Sequence, residues 1–306
     1  MIRYARAPSS AFQRLLAPGG LLAPLLETRG VGELRLDVHL REDDHLNVYC
    51  GGTCIVDANL SRRKVHVKAD LAYGRQACAA ALFRTWALDE PGFANALDHY
   101  YSNVVVGPRW IKGEGAIQVD WAAVRDPWVP FDREATLGYG TAEHPFRRKA
   151  EAILEAAMAE VETRHTKAWT RPKMRTGEGL DQLGVDADGR LVLIELKDAT
   201  AKLRRSVYDA PLQLLRYVLH WVHAYDEVRA GLDAVREARI ALGLSPASMP
   251  RLSNGVRAVI CFGEAPTPRV RECFDIAHAV VNRHLPPGVA PIEVWAMADG
   301  QPRRVG

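Results

Sequence analysis

Three side chains that could together cut a phosphodiester bond lie within a short stretch of the sequence. Asp181 precedes Glu195 by fourteen positions, and Lys197 follows Glu195 by two. Two carboxylates held close together repel each other unless a cation lies between them. Carboxylate oxygens suit Mg²⁺, and an ammonium group beside them can stabilise the charge that develops on a phosphate. The pattern therefore predicts a magnesium site that acts on phosphodiesters.

A β-hairpin is predicted to bring these residues together. Residues 180–185 and 190–196 are rich in apolar and β-branched residues, which favours strands. The sequence Asp-Ala-Asp-Gly at 186–189 separates them, and Gly189 suits the left-handed position that ends a three-residue hairpin loop. The second strand is nearly all apolar, which is typical of a strand buried on both faces.

The loop length predicts the register of the two strands. If Asp186 pairs with Arg190, the numbers of paired residues sum to 376, and Asp181 lies opposite Glu195. Directly opposed side chains have Cβ atoms about 4.5–5.5 Å apart, and Lys197 shares the face of Glu195. A slip of one residue in register would weaken this arrangement.

A surface ion pair is the alternative interpretation of Glu195 and Lys197. Such pairs are common at solvated strand edges and contribute little to stability. A functional site is favoured here because a buried strand that ends in Glu and Lys is not a solvated edge. By contrast, Asp188 and Gly189 are interpreted as turn residues without a catalytic role.

The segment resembles the PD-(D/E)XK nuclease superfamily, which has the restriction-endonuclease-like fold. It is similar in motif style to archaeal mismatch endonucleases, where an Asp, a DGRLVxIELK strand and a QLLRY helix occur in that order. Asp181 matches the first metal-binding acid of the superfamily, and Glu195 and Lys197 match its (D/E)XK pair. Gln213 and Tyr217 match the Gln-x-x-x-Tyr helix of bacterial recombination nucleases. The match covers about fifty of the 306 residues, and Gly-Leu precedes the first acid where the superfamily name implies a proline.

The resemblance implies a role for each matched residue. Mg²⁺, with Mn²⁺ as a substitute, would be held by Asp181, Glu195 and the backbone carbonyl of Leu196. Lys197 would position or help to deprotonate the attacking water, and Gln213 would orient that water or a phosphate oxygen. Tyr217 would contact the nucleic-acid backbone. Outside the matched residues, Arg216 beside this motif and Arg204 and Arg205 near the site are also expected to contact nucleic acid, although exposed arginine pairs are common.

The superfamily often adds a Glu from the helix that precedes the first acid. A helix is predicted from Thr141 to Arg164, because Thr141 can cap it. Glu143 lies at the start of its apolar stripe, whereas Glu151 lies about 100° away at 3.6 residues per turn. Glu143 is therefore the predicted additional metal ligand, although an acid there also simply favours the helix N-terminus.

The elements after the hairpin predict an α/β fold with a mixed central sheet flanked by helices, as the restriction-endonuclease-like resemblance implies. Asp209 can cap a helix with Pro211 in its first turn. A strand at 256–262, a helix at 269–285 and a strand at 292–296 follow. These elements, with those from residue 136 onward, form the predicted nuclease domain, 136–306.

Residues 1–135 are predicted to form a separate α+β domain with an antiparallel meander, whose role in recognition or oligomerisation the sequence does not define. The strands are expected at 33–40, 47–49, 53–56 and 64–68, and the helices at 75–88 and 91–101. Residues 104–128 are expected to be a loop-rich strand region. Its tryptophans (Trp110, Trp121 and Trp128) are better explained as core or interface residues than as stacking partners for bases.

The amino-acid composition limits which kinds of protein and which cellular location fit the sequence. The net charge is only +3, so no general nucleic-acid patch is indicated, and the ratio of 32 Arg to 8 Lys is best explained by a GC-rich genome. Five cysteines form no metal-ligand pattern, since Cys50 and Cys54 have no second pair, and their odd number favours a reducing compartment. No signal peptide or membrane span is indicated. The cytoplasm is the expected location.

The sequence therefore favours a Mg²⁺-dependent DNA endonuclease, with DNA preferred over RNA as the partner and a homodimer as a compatible assembly. Repair, restriction or phage defence would be its setting. A nucleic-acid-binding module with an inactive nuclease fold, a structure-specific ribonuclease and a structural part of an oligomer are the alternatives.

Overall fold

The structure is a computed structural model that describes residues 2–28, 30–31, 34–70, 76–104, 114–140, 144–164, 179–199 and 204–305, with the backbone alone at 76, 114, 204–208, 269 and 273. The chain forms two compact units. The hairpin unit contains Met1–Tyr4, Asp120–Ala230 and Pro250–Gly306, and the meander unit contains Ala5–Val119 and Gly231–Met249.

The meander unit is built on a six-stranded antiparallel sheet in which each strand pairs with its neighbour in the sequence, in the order β2-β3-β4-β5-β6-β7. Alternate residues such as Leu46 and Val48 point into the core, where helices pack on the sheet. The elements are α1 (Ser10–Leu16), α2 (Ala23–Glu27), β2 (Gly30–Val31), β3 (Leu34–Arg41), β4 (His45–Cys50), β5 (Thr53–Ser61), β6 (Lys64–Ala69), α3 (Gln76–Leu82), β7 (Thr85–Ala87) and α4 (Phe93–Tyr101).

Two expectations for the first part of the chain are wrong. The helix expected at 75–88 ends at Leu82, and Thr85–Ala87 instead forms β7, because its buried Trp86 pairs with Val65 of β6. The loop-rich strand region expected at 104–128 contains a helix, α5 (Glu114–Ala122), in its described part. Gly115 lies at the second position of this helix, and the residues that follow it tolerate helical backbone.

The hairpin unit is built on a six-stranded mixed sheet in the order β14-β13-β12-β11-β10-β8. Strand β10 is antiparallel to both β8 and β11, whereas β11, β12 and β13 run parallel, so the predicted mixed sheet of an α/β fold is present. The elements are β1 (Ile2–Arg3), β8 (Trp128–Ala135), β9 (Gly138–Tyr139), α6 (Pro145–Arg164), β10 (Leu180–Asp186), β11 (Leu191–Lys197), β12 (Val256–Phe262), α8 (Pro268–Arg283), β13 (Glu293–Ala298) and β14 (Gln301–Arg304).

The helix after the hairpin, α7 (Arg204–Ala241), is longer than expected. It begins five residues before Asp209 and contains Pro211 in its interior rather than in its first turn. A proline there removes one backbone hydrogen bond. The neighbouring residues Ala210, Leu212 and Leu214 are fully buried, so packing offsets this loss.

The division into units differs from the predicted boundary at residue 135 in three places, the first of which is Met1–Tyr4, in the hairpin unit. Strand β8 precedes that boundary but pairs with β10 of the hairpin unit. Gly231–Met249 follows it but belongs to the meander unit, where Arg239 donates a hydrogen bond to the carbonyl of Val38. Among the described helices, none has an apolar stretch long enough to cross a membrane.

Candidate functional site

The turn of the hairpin forms as the sequence predicts. Gly189 has a φ of +78°, and a Cβ atom there would lie 2.4 Å from the carbonyl oxygen of Arg251, so only glycine fits. The carboxylate of Asp186 accepts hydrogen bonds from the backbone N–H groups of Asp188 and Arg190, at 3.1 and 2.9 Å. Local turn chemistry therefore sets the length of the loop.

The predicted register is confirmed. Gln182 pairs with Ile194 and Val185 with Leu191, so paired residue numbers sum to 376. The next step along this ladder places Asp181 opposite Glu195. A one-residue slip, which would have weakened this arrangement, does not occur.

The acidic and basic groups make close contacts at this end of the hairpin. The Asp181 carboxylate accepts a hydrogen bond from the backbone N–H of Leu196 at 2.7 Å. The ammonium group of Lys197 lies 2.7 Å from a carboxylate oxygen of Glu195. Each carboxylate thus has a positively polarised neighbour, which offsets the repulsion between the two acids.

The ion pair is buried, unlike a solvated surface pair. The side chains of Lys197 and Glu195 are 9% and 5% exposed, and every residue of β11 is buried. On the neighbouring strand, burial raises the pKa of the Cys261 thiol well above its usual value, so this group stays protonated and is a poor metal ligand. The environment is therefore largely desolvated, with charge concentrated on the two acids and the lysine.

Helix α7 presents Gln213 and Tyr217 one turn apart. The Tyr217 hydroxyl donates a hydrogen bond to the carbonyl of Gly179 at 3.2 Å, which ties the helix to the chain two residues before Asp181. The side-chain oxygen of Gln213 is buried and has no hydrogen-bond partner within the described part of the protein. A buried amide oxygen without a partner costs stability, and its position on the same helix face as Tyr217 suits a role in binding.

The donor set fits Mg²⁺. No group of three or more His, Cys, Asp or Glu side chains that could hold a metal occurs among the described residues, so Asp181 and Glu195 would act as a pair. Mg²⁺ commonly binds through one or two carboxylates and completes its shell with waters and substrate phosphates.

Three predicted site residues cannot be placed. Glu143 lies outside the described residues, and the side chains of Arg204 and Arg205, at the start of α7, also lie outside them. Glu151, the alternative to Glu143, lines a cleft together with Tyr217.

The predicted core role of Trp121 and Trp128 is confirmed, since both are buried and their rings stack.

Several polar residues of this cleft were not predicted to be functional. Tyr139 comes from β9, Arg147 from α6 and His220 from α7. Only the position of His220, one turn after Arg216 on the helix of the motif, offered a signal in the sequence.

No protein-family model, curated protein or solved structure matches the chain.

Proposed function

We propose that this protein is a Mg²⁺-dependent endonuclease of the PD-(D/E)XK type that hydrolyses phosphodiester bonds of DNA. The observation that supports the proposal is the register of the hairpin, in which Gln182 pairs with Ile194. The same register, continued by one residue, would set Asp181 opposite Glu195. The buried contact between Lys197 and Glu195 completes the acid, acid and lysine set. A mixed sheet with α6 before the hairpin and α7 after it is consistent with the restriction-endonuclease-like fold that the motif implies.

Each residue would contribute through the atoms that its position provides. Asp181 and Glu195, with the carbonyl of Leu196, would hold the ion. When bound, Mg²⁺ polarises the scissile phosphate and favours deprotonation of the attacking water. Lys197, whose ammonium group lies 2.7 Å from Glu195, would donate hydrogen bonds to the phosphate oxygens as negative charge develops on them. Gln213 would accept a hydrogen bond from the attacking water and so orient it.

Tyr217 would act by positioning. Its hydroxyl holds the carbonyl of Gly179, and Asp181 follows two residues later. A carboxylate that binds a divalent ion must be held within about 0.5 Å of its productive position. The contact between α7 and the start of β10 therefore supports the geometry of the first acid.

Cleavage assays with conservative variants test the proposal. Circular and linear DNA, single- and double-stranded, and RNA would be incubated with the protein and Mg²⁺, Mn²⁺ or EDTA. We expect cleavage of DNA that depends on the divalent ion and that Asp181→Asn, Glu195→Gln and Lys197→Ala each abolish. Asp188→Asn is the matched control, because this carboxylate lies in the same hairpin but its side chain is 73% exposed.

Other outcomes would favour the alternatives. Retained cleavage in any two of the three variants would reject the residue assignment. Preferential cleavage of RNA would indicate a ribonuclease. Binding of nucleic acid without cleavage under any of the metal conditions would instead indicate a binding module with an inactive site.

A further inference from the structure

A half-open cleft lies beside the candidate site, entirely within the hairpin unit. Its volume is about 90 Å³, which holds several water molecules but is far smaller than a typical pocket for a drug-sized ligand. A small polyatomic group fits this space, whereas a whole nucleotide does not. The polar side chains that line it are Thr136, Tyr139, Arg147, Glu151, Arg216, Tyr217 and His220.

Two arginines from different helices make this cleft electropositive. Arg147 comes from α6 and Arg216 from α7, and the Arg147 guanidinium lies 4.8 Å from the centre of the Tyr139 ring. The pKa of His220 is lowered to about 4, mainly by burial and in addition by the positive charges of Arg216 and Arg147. Both arginines thus act on the same point of the cleft, where His220 is neutral at pH 7.

The neutral groups of the cleft add hydrogen-bonding capacity. The hydroxyl of Tyr139 shares a hydrogen bond with Nδ1 of His220. Burial raises the pKa of Tyr139 to about 12, with Arg147 and Arg216 opposing the rise, so this phenol stays protonated at pH 7. Glu151 is the one carboxylate among the lining residues of this described cleft, and it follows Arg147 by one helical turn. The described lining thus carries two guanidinium groups and one carboxylate.

The cleft is closed at its base by apolar side chains. Ala150, Leu154 and Trp221 line it and are between 1% and 5% exposed. A polymer strand cannot continue through such a floor, so a ligand group must enter from the open side and end there. A terminal group fits this shape better than an internal one.

The cleft borders the start of the first acid strand. Ala135 lines it and pairs with Leu180, the residue before Asp181. Tyr217 also lines it and contacts Gly179. A group bound in the cleft would therefore lie close to the start of the strand that carries the first acid.

We propose that this arginine cleft binds the terminal phosphate monoester of a nucleic-acid strand, so that the protein prefers strands with phosphorylated ends. The inference rests on the proposed function for the identity of the strand. Guanidinium groups bind phosphate oxygens through charge-assisted, often bidentate hydrogen bonds, and two of them from separate helices can contact more than one edge of a tetrahedral group. Neutral Tyr139 and His220 can contact the remaining oxygens.

Binding measurements without cleavage test this inference. Fluorescence anisotropy in EDTA would compare one oligonucleotide carrying a 5′-phosphate, a 3′-phosphate or no terminal phosphate, with inorganic phosphate as a competitor. We expect a terminal phosphate at one end to tighten binding about tenfold, which corresponds to roughly 1.4 kcal/mol. Arg147→Gln and Arg216→Gln should remove this difference, whereas Arg148→Gln, an exposed neighbour on α6, should keep it.

The comparison of oligonucleotides in the unaltered protein remains decisive even if a variant fails to fold. Equal affinity with and without a terminal phosphate would overturn the inference, as would a phosphate effect that persists in both cleft variants. Neither result bears on the proposed cleavage, which depends on Asp181, Glu195 and Lys197. Conversely, a phosphate effect without any cleavage would leave the cleft assignment in place and reject the nuclease.

Discussion

Buried charge at the end of the hairpin is better explained by function than by stability. Removing a carboxylate and an ammonium from water costs several kcal/mol per ion, and a buried ion pair often adds no net stability over apolar residues. Glu195 and Lys197 are nevertheless both buried in a strand whose other residues are apolar. Gln213, whose side-chain oxygen has no partner among the described residues, adds a second cost on helix α7. Such local losses of folding stability are typical of functional sites.

Gln213 should therefore show a trade between stability and activity. Gln213→Met keeps the length of the side chain and removes a buried oxygen that finds no partner in the described part of the chain, so we expect the free energy of unfolding to rise by about 1 kcal/mol. Cleavage should fall by roughly a hundredfold, because the attacking water loses an orienting acceptor. Urea unfolding and DNA cleavage would be measured on the same samples. Gln301→Met, at an exposed position of β14, is the control and should change neither quantity. A stable variant with full activity would show that Gln213 is structural.

His220 should make stability depend on pH below neutrality. Its pKa falls to about 4 in the folded protein, through burial first and then through Arg216 and Arg147, against about 6.5 for an unperturbed histidine. As the pH falls from about 6.5 to about 4, the unfolded chain gains a proton on this residue that the folded protein does not, so the folded state loses stability.

The test is the dependence of the melting temperature on pH, in buffers without phosphate. Relative to the unaltered protein, His220→Gln should lose less stability over this window. Gln301→Met, at an exposed position of β14, should preserve the original slope because it removes no titratable group. Identical slopes for all three proteins would mean that His220 is solvated and that the cleft is less electropositive than its geometry indicates.

At the level of elements, local signals predicted the structure and long-range contacts limited the prediction. The hairpin and β12 follow from turn residues and short apolar runs, and their predicted positions agree with the structure. The short strand β7 depends on pairing with β6, which no local pattern reveals. In the same way, the acids of the site were predictable because one turn positions both. The cleft was not, because its side chains come from β9, α6 and α7.

Gly189 is the position where an element controls the site. The backbone at this position is left-handed, and a residue with a side chain held in that conformation costs roughly 1–2 kcal/mol. The side chain would also clash with the Arg251 carbonyl. We therefore expect Gly189→Ala to lower the free energy of unfolding by at least about 2 kcal/mol. Asp188→Ala, next in the same turn, should cost at most about 0.5 kcal/mol, because its ion pair with Arg190 is exposed.

The two turn variants also separate register from stability. If the turn sets the alignment of Asp181 with Glu195, Gly189→Ala should lose cleavage at temperatures where circular dichroism shows it to be folded. Asp188→Ala should retain it. Full activity in folded Gly189→Ala would show that the strands find their register without the turn.

At the scale of the whole molecule, each unit is interrupted in the sequence. Helix α7 illustrates this, since its residues up to Ala230 belong to the hairpin unit and those from Gly231 belong to the meander unit. A change of membership within one continuous helix leaves no mark in composition or periodicity. The linear boundary at residue 135 was the simplest reading of the sequence, but it separates β8 from its partner strand.

Fragments cut at that boundary should therefore fail to fold. A 136–306 fragment lacks β8, so β10 becomes an edge strand with unpaired backbone groups and is prone to aggregate. A 1–135 fragment lacks 231–249, including the buried Arg239 that bonds to the carbonyl of Val38. We expect neither fragment to show a cooperative urea transition, whereas a 120–306 fragment, which restores β8, should be more soluble than 136–306. If 136–306 instead unfolds cooperatively with the same midpoint as 120–306, β8 is dispensable and the hairpin can hold Asp181 opposite Glu195 without an outer strand.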